Sequence, residues 1–300
     1  MLTPEQIEAK LDRILLKVQK PGRYVGGELN ITVKDWEAAA TKVALVFPDI
    51  YDIGVSNVGL KILYDQVNQR ADSLAERAYV PWLDMEALMR EHGIPLYSLE
   101  SKRPLAAFDL IGFTLPYETL YSNALNALDL AGIPVRSAER GEEHPIVIAG
   151  GHSTMNPEPM HAFIDAFVVG EGEEVIHDIL NVLQTHSSRA DRLLALAKIP
   201  GVYVPKFYET FYLDDGTVSH IETLVDGIAN PVVKRIVAKL PPPPTKFIVP
   251  NIDIVHNRVT VEIMRGCTRG CRFCHAGMIT RPVRERTVEE IVAAAEEAVR

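Results

Sequence analysis

Cysteine is scarce in this sequence, which has only three cysteines in 300 residues, all between positions 267 and 274. An odd, clustered set excludes the disulfide framework that stabilises small secreted domains. No apolar run approaches the roughly 20 residues that a membrane-spanning helix needs. The segment Met1 to Lys10 also lacks the apolar core of a signal peptide. We therefore expect a cytoplasmic protein that does not contact a membrane.

Positive charge is also in deficit, because 31 lysines and arginines face 40 acidic residues and the formal net charge is −9. This balance argues against a protein that binds nucleic acid over its whole surface, although a local basic patch stays open. Apolar residues make up 47% of the chain, which excludes a disordered protein. The length suggests about two domains.

From Lys42 onward, short apolar segments alternate with amphipathic helical segments. The expected strands are 43–47, 94–99, 108–115, 145–149 and 166–169. This alternation indicates βαβ units and therefore a parallel sheet with helices on both faces. We predict an α/β fold with a doubly wound, Rossmann-like domain over residues 41–190. Its ligands should bind at the carboxyl ends of the strands.

The residues before this domain are predicted to form a helical arm, residues 1–40. Thr3 has the chemistry of an N-cap, and Pro4 suits the first helical position. The residues after the domain, 191–257, are predicted to be a β-rich linker. They contain a hairpin signature at Asp214-Asp215-Gly216, and prolines 241–244 would form a stiff spacer.

The last part of the chain, residues 258–300, begins with a predicted strand over 258–264 that runs directly into the cysteines. Thr287 is predicted to cap a helix that starts at Val288 and continues to Arg300.

The three cysteines have the spacing C-x3-C-x2-C at Cys267, Cys271 and Cys274. Thiolates are soft ligands that suit iron–sulfur clusters or zinc. A closed zinc site needs four ligands, so His256 or His275 would have to supply the fourth. Three thiolates can instead hold three irons of a four-iron cluster and leave the fourth iron open to react. The spacing alone leaves both sites open.

A predicted strand and Arg265-Gly266 precede the cysteines, and Phe273 fills the aromatic position before the last one. This pattern resembles the signature of the radical S-adenosylmethionine (SAM) superfamily. The resemblance implies that the cysteines bind a [4Fe–4S] cluster, that SAM chelates its open iron, and that Phe273 belongs to the cofactor site. It also implies reductive cleavage of SAM to a 5′-deoxyadenosyl radical, with electrons from a reductant such as flavodoxin or ferredoxin.

The segment from Asp49 through Tyr51 to Gly54 resembles the D-x-H-x-x-G loop of cobalamin-binding domains. Tyr51 stands where the family has a histidine that ligates cobalt, so any cobalamin would bind without that histidine. Further positions match that kind of domain after the third, fourth and fifth predicted strands: Thr114, Leu115, Gly150, Gly151, Gly170, Glu171 and Gly172. The resemblance thus implies a cobalamin-binding-type front domain.

Motifs along almost the whole chain resemble one bacterial subgroup of radical SAM proteins with such a front domain. These motifs are 21–28, 81–86, 156–159 and 262–267. The resemblance does not specify a substrate. A radical SAM partial TIM barrel needs about six βα units, and residues 258–300 supply only the first. We therefore expect a truncated chain that, alone, keeps no stable cluster and is inactive.

Three functions remain open from the sequence. One is a cobalamin-dependent radical SAM enzyme, for example one that transfers a methyl group. Another is a radical SAM enzyme whose front domain has lost cobalamin and serves as a platform for a substrate or partner. The third is a non-catalytic cobalamin- or nucleotide-binding module.

Arginines are dense around the cysteines, with six between Arg265 and Arg286 and one acidic residue, Glu285. They could receive an anionic substrate, the carboxylate of SAM or nucleic-acid phosphates. They could also balance the charge of an anionic cluster.

Overall fold

A six-stranded sheet forms the centre of the molecule in the computed structural model, which describes residues 1–300. Its strands are β1 Thr41–Phe47, β2 Ser73–Tyr79, β3 Leu110–Thr114, β4 Ile146–Gly150, β5 Ala166–Val168 and β6 Val202–Tyr203. The order is β2-β1-β3-β4-β5-β6, and only β6 is antiparallel to its neighbour. The predicted α/β fold with a mostly parallel sheet is confirmed.

Helices cover both faces of this sheet. They are α1 Pro4–Ile14, α2 Tyr51–Gly54, α3 Val58–Gln69, α4 Leu83–His92, α5 Tyr121–Leu130, α6 Val175–Thr185 and α7 Arg189–Ala197. Right-handed crossovers place α3 on one face and α4 and α5 on the other, because the chain reverses direction between β1 and β3. In a sheet of this order, that reversal leaves a crevice at the carboxyl ends of the strands.

The second strand is not where we predicted it. Residues 94–99 form no strand, and the strand beside β1 is Ser73–Tyr79, whose residues are all buried. Its charged residues argued against a buried strand in the sequence, since burying Arg77 without a partner would be costly. In the fold, Arg77 is 1% exposed and pairs with Glu28 at 3.0 Å and Glu100 at 2.6 Å. Residues 94–99 run as a buried extended segment, in which the Leu99 N–H donates to the Arg77 carbonyl.

The N-terminal helix agrees with the prediction. Thr3 and Gln6 form a capping box at the start of α1, and Ile7, Leu11 and Ile14 on one face of the helix are buried. The following arm is fastened to the sheet by the buried Glu28–Arg77 pair. The three apolar residues of α1 belong to the same buried core as the sheet.

Residues 189–203 extend the front domain, which corrects the prediction of a linker from residue 191. Helix α7 packs against β5 and β6, and β6 pairs with β5 as the sheet's last strand. The predicted hairpin follows as β7 Tyr208–Tyr212 and β8 Val218–Thr223.

The cysteine-bearing part contains β9 Met264–Arg265, α8 Ala276–Ile279, β10 Arg284–Glu285 and α9 Val288–Ala298. The predicted strand over 258–264 is wrong for most of its length. Only Met264 lies in a strand, because this segment pairs with nothing except the two residues of β10. Helix α9 is confirmed, with a capping box between Thr287 and Glu290. No helix in the structure is long and apolar enough to span a bilayer.

Candidate cofactor site

A cavity of about 450 Å³ lies on the face of the sheet that α3 and α6 cover. Alternate residues of the parallel strands form one wall: Val43, Leu45, Leu110, Gly112, Ile148 and Val168. The facing wall consists of aliphatic side chains of the two helices, among them Ile62, Ile176 and Ile179. Side chains alternate between the two faces of a strand, so the strand residues of the first wall share one face. The polar Thr114 lies on the same face, at the carboxyl end of β3. The result is an apolar chamber that opens at the carboxyl ends of the strands.

The mouth of this chamber gathers most of the residues predicted to bind a cofactor in the front domain: Thr114, Gly150, Gly151, Gly170, Glu171 and Gly172. The cysteine-bearing part completes the mouth, with Met264, Arg265 and Gly266 before the first cysteine and Ile279 and Thr280 after the last. The cavity is thus shared between the front domain and the segments that flank the cysteines.

Tyr51 does not line this cavity, although we predicted it at the cofactor. Its side chain is buried beside Tyr79, and its hydroxyl donates to Glu28 at 3.0 Å. Burial, reinforced by the negative charge of Glu28, raises the pKa of Tyr51 well above its usual value. The Tyr51 hydroxyl therefore supplies a hydrogen bond to the carboxylate of the buried Glu28–Arg77 ion pair, which explains why a tyrosine stands at this position.

Three further predicted positions lie outside the cavity. A Cβ at Gly54 would stand 2.5 Å from the Tyr79 ring, so this glycine permits close packing of α2. Leu115 is buried, and its N–H donates to the Gly150 carbonyl. Asp49 accepts a hydrogen bond from the Ile50 N–H at 2.7 Å. These contacts shape the turns at the strand ends.

The cysteines lie on a loop between β9 and α8. Cys267 and Cys274 are half-buried, whereas Cys271 is exposed. The Cys267 sulfur accepts a hydrogen bond from the Arg269 N–H at 3.4 Å. The Cys274 sulfur accepts one from the Gly277 N–H at 3.3 Å. These two backbone donors hold the Cys267 and Cys274 sulfurs against the backbone of the loop and of the start of α8.

The donor set fits an iron–sulfur cluster by its chemistry, since three soft thiolates lie within eight residues. The structure does not gather three or more cysteine, histidine or carboxylate side chains closely enough to hold a metal ion. This holds for the three cysteines as much as for His256 and His275. Phe273 is 92% exposed and does not line the cavity. The assignment of these four loop residues to a cluster remains a prediction.

Half of the arginine cluster is used in ion pairs with carboxylates. Arg284 donates to Glu171 at 2.6 Å, and Arg265 pairs with Glu173 at 2.6 Å. Arg286 pairs with Glu262 at 3.5 Å. The other three arginines, Arg269, Arg272 and Arg281, are exposed around the cysteine loop and form no ion pair with a carboxylate.

Glu171 shows how these pairs change the electrostatics of the mouth. Burial alone would raise the pKa of Glu171, but the hydrogen bond from Arg284 and the charges of Arg265 and Arg284 outweigh it. The pKa of Glu171 is therefore lower than usual. Its carboxylate, which we predicted to touch a cofactor, also accepts the Val237 N–H at 2.6 Å and is committed to protein contacts.

His152 and Lys234 line the cavity mouth without having been predicted as site residues. Burial lowers the pKa of His152, and the nearby His275 lowers it further. The Lys234 ammonium donates to the Ile279 carbonyl at 2.8 Å. The position of His152 directly after Gly150-Gly151 was a usable signal. No sequence pattern indicated Lys234, which lies at the mouth because its neighbour Arg235 pairs with Gly170 in the folded chain.

Two family models match the chain. One describes radical SAM proteins, N-terminal, and matches residues 59–205, and the other describes the radical SAM superfamily and matches residues 261–300. The chain belongs to the radical SAM superfamily. The superfamily's cofactors are SAM and a [4Fe–4S] cluster, and the match at 261–300 includes all three cysteines.

This radical SAM protein is also similar to an uncharacterised protein of Methanocaldococcus jannaschii, MJ0966. The two are 24% identical over 261 residues, which are 86% of this chain and 46% of the relative. The chain thus spans about half the length of the curated relative it matches.

Two solved structures are similar to the chain. One is the cobalamin-dependent SAM radical enzyme OxsB with aqua-cobalamin bound, at 15% identity and a TM-score of 0.49; it covers 97% of this chain and 36% of that one. The other is the radical SAM methyltransferase TsrM from Kitasatospora setae, with tryptophan and a SAM analogue bound. It is 14% identical, has a TM-score of 0.43 and covers 85% of this chain and 45% of that one.

Proposed function

We propose that this radical SAM protein cleaves SAM at a cluster held by Cys267, Cys271 and Cys274, and that its front domain binds a corrinoid used for methyl transfer. The observation that carries the proposal is the apolar cavity at the carboxyl end of the sheet, whose mouth is completed by the segments that flank the cysteines. A ligand in this cavity would face the place where SAM is cleaved. Such proximity is what transfer between two cofactors requires.

The cavity suits the nucleotide tail of a corrinoid. Its volume lies in the range of small-molecule sites, and its inner walls are aliphatic. At its mouth, Gly150 leaves open space, since a Cβ there would meet nothing within 4 Å. Tyr51 points into the core, so this loop offers no ligand to cobalt. We therefore propose a corrinoid that binds without an axial ligand from this loop.

The chain's own residues have three tasks in this proposal. The three thiolates would hold the cluster, whose electron breaks a carbon–sulfur bond of SAM. Arg269, Arg272 and Arg281 form no ion pair with a carboxylate of the chain, and Arg281 donates to the Cys267 carbonyl at 3.4 Å. Their guanidinium groups lie at the loop, where they can pair with a carboxylate. Met264 and Ile279 line the mouth and would exclude water from a radical intermediate.

A second candidate is a radical SAM enzyme whose front domain serves as a platform without a corrinoid. The observation that favours it is the commitment of Tyr51 and Glu171 to protein contacts. Both candidates leave the substrate open, and an electron donor of the flavodoxin or ferredoxin class is proposed for either. The exposed arginines leave an anionic substrate, including RNA, as a secondary proposal.

Anaerobic reconstitution with iron and sulfide tests the proposal, on this chain and on a version extended past Arg300. Formation of 5′-deoxyadenosine from SAM should require all three cysteines and a reductant. Transfer of a labelled SAM methyl group to added corrinoid would support the first candidate. Cleavage of SAM with no bound corrinoid would support the second. Corrinoid binding with no 5′-deoxyadenosine from either version would overturn both in favour of a non-catalytic module. Cys267→Ala, Cys271→Ala and Cys274→Ala together should leave the corrinoid binding of such a module unchanged.

A further inference from the structure

Two arginines that bracket the cysteine loop face each other across a very short ribbon. Arg265 on β9 is paired with Arg284 on β10, and each strand has only two residues. Like charges directly opposite one another destabilise a strand pair, and a two-stranded ribbon of this length is not stable alone. Glu262, just before β9, pairs with Arg265 at 2.8 Å, but no carboxylate of residues 258–300 pairs with Arg284, which needs one from elsewhere.

The front domain supplies a carboxylate to each arginine from the turn after β5. Glu171 accepts both terminal nitrogens of Arg284, and Glu173 pairs with Arg265. The four side chains are between 8% and 15% exposed. Bidentate contacts of this kind, shielded from water, are stronger than ordinary surface ion pairs. Each strand of the ribbon is thus attached to the front domain by its own pair.

A third segment, which contains Lys234 and Arg235, contacts the same turn after β5. Gly170 forms a parallel bridge with Arg235, and a Cβ at Gly170 would stand 2.2 Å from the Arg235 carbonyl oxygen. The φ angle of Gly170 is +112°, which also favours glycine. Lys234 then reaches over to the Ile279 carbonyl beyond the cysteines. The turn after β5 thus contacts both the ribbon and the segment that crosses it.

We propose that Glu171 and Glu173 are positioning residues, which hold the cysteine loop at the mouth of the cavity through Arg284 and Arg265. Removing the Glu171 carboxylate would leave Arg284 without a counter-charge opposite Arg265, which itself keeps Glu173 and Glu262. The ribbon would then open and release the loop. This proposal deepens the proposed function and rests on it for the role of the cavity. Docking of the loop itself requires no bound cofactor.

Hydrogen exchange of the whole chain without cofactors tests the docking. We expect Glu171→Gln to raise amide exchange over residues 264–286 by roughly ten-fold. The control Glu285→Gln, which removes an exposed carboxylate of the same ribbon, should leave exchange unchanged. Arg284→Gln should raise this exchange by as much as Glu171→Gln does. Exchange in the double variant should be little faster than in either single variant, because both substitutions remove the same contact. Unchanged exchange in Glu171→Gln, or additive effects in the double variant, would overturn the docking.

A second measurement separates positioning from a purely structural role. Hydroxocobalamin should slow exchange of residues 264–286 in the original chain. In Glu171→Gln, which no longer docks the loop, hydroxocobalamin should bind more weakly, and at saturation it should no longer slow that exchange. Protection by hydroxocobalamin that persists in the variant would overturn the positioning role. If the original chain binds no hydroxocobalamin, the corrinoid proposal fails while the cofactor-free measurement still decides whether Glu171 docks the loop.

Discussion

The front domain and the cysteine-bearing part of this protein are held by different forces. A core of 58 buried residues stabilises the front domain, and none of them lies after Ile228. Between residues 258 and 300 the ribbon is fixed mainly by arginine–glutamate pairs. Salt screens ion pairs near a surface but does not weaken the burial of apolar surface in this way. The inner walls of the cavity therefore belong to the apolar core, whereas the cysteine-bearing part that completes its mouth is attached by ion pairs that can be broken separately.

The largest effect should come from breaking the buried ion cluster of the front domain. Arg77→Leu leaves the buried carboxylates of Glu28 and Glu100 without their cationic partner, and we expect a loss of about 3–5 kcal/mol in the free energy of unfolding. Urea unfolding followed by circular dichroism measures it. Arg90→Leu is the control, because Arg90 pairs with Glu86 and Asp129 at the surface and should lose less than about 1 kcal/mol. Equal losses would contradict the difference between the two sites.

An intermediate effect should follow from acid or salt acting on the cysteine-bearing part. The pKa of Glu171 is lowered in the folded chain. Its stabilisation is therefore complete above the ordinary glutamate pKa of about 4.3 and is lost as the pH falls through the lower folded value. Exchange over residues 264–286, corrected for intrinsic rates, should rise before the front domain unfolds. It should rise similarly at about 1 M salt near neutral pH. Simultaneous loss of both regions would show that they are one cooperative unit.

The smallest effect compares two similar helix caps, Thr3 with Gln6 and Thr287 with Glu290. Thr3 and Thr287 each form a capping box, but α1 buries three residues in the core whereas α9 buries only Ala294. Thr3→Ala should lower the free energy of unfolding of the front domain by about 1 kcal/mol. Thr287→Ala should leave the urea midpoint unchanged and raise exchange only in α9. A lower midpoint in Thr287→Ala would place α9 within the front domain's cooperative unit.

Much of the fold was predictable because apolar runs and caps are local signals. The four strands recognised correctly are nearly all apolar, and Thr3 and Thr287 mark the helices they cap. Strand β2 was missed because its charges are neutralised by Glu28 and Glu100, which are distant in sequence. Pairing across such distances leaves no periodicity in the sequence.

The candidate site was predictable to a similar extent. The turns that end β3, β4 and β5 were expected at the ligand edge, and the structure brings them together at one cavity. The direction of the Tyr51 side chain was not predictable, because it depends on the buried Glu28. Likewise, Glu171 matched a family motif, but its arginine partner lies 113 residues away. Side-chain roles set by such contacts require the folded structure.

Titration of this chain with hydroxocobalamin tests the central claim most directly. Gly150→Leu would project a side chain into the cavity mouth, and we expect it to weaken binding roughly 10–100-fold without unfolding the chain. Tyr51→Phe removes only the hydrogen bond to Glu28 and should leave the affinity unchanged. The account predicts saturable binding that Gly150→Leu weakens and Tyr51→Phe does not. No binding by the original chain, or a loss confined to Tyr51→Phe, would contradict it.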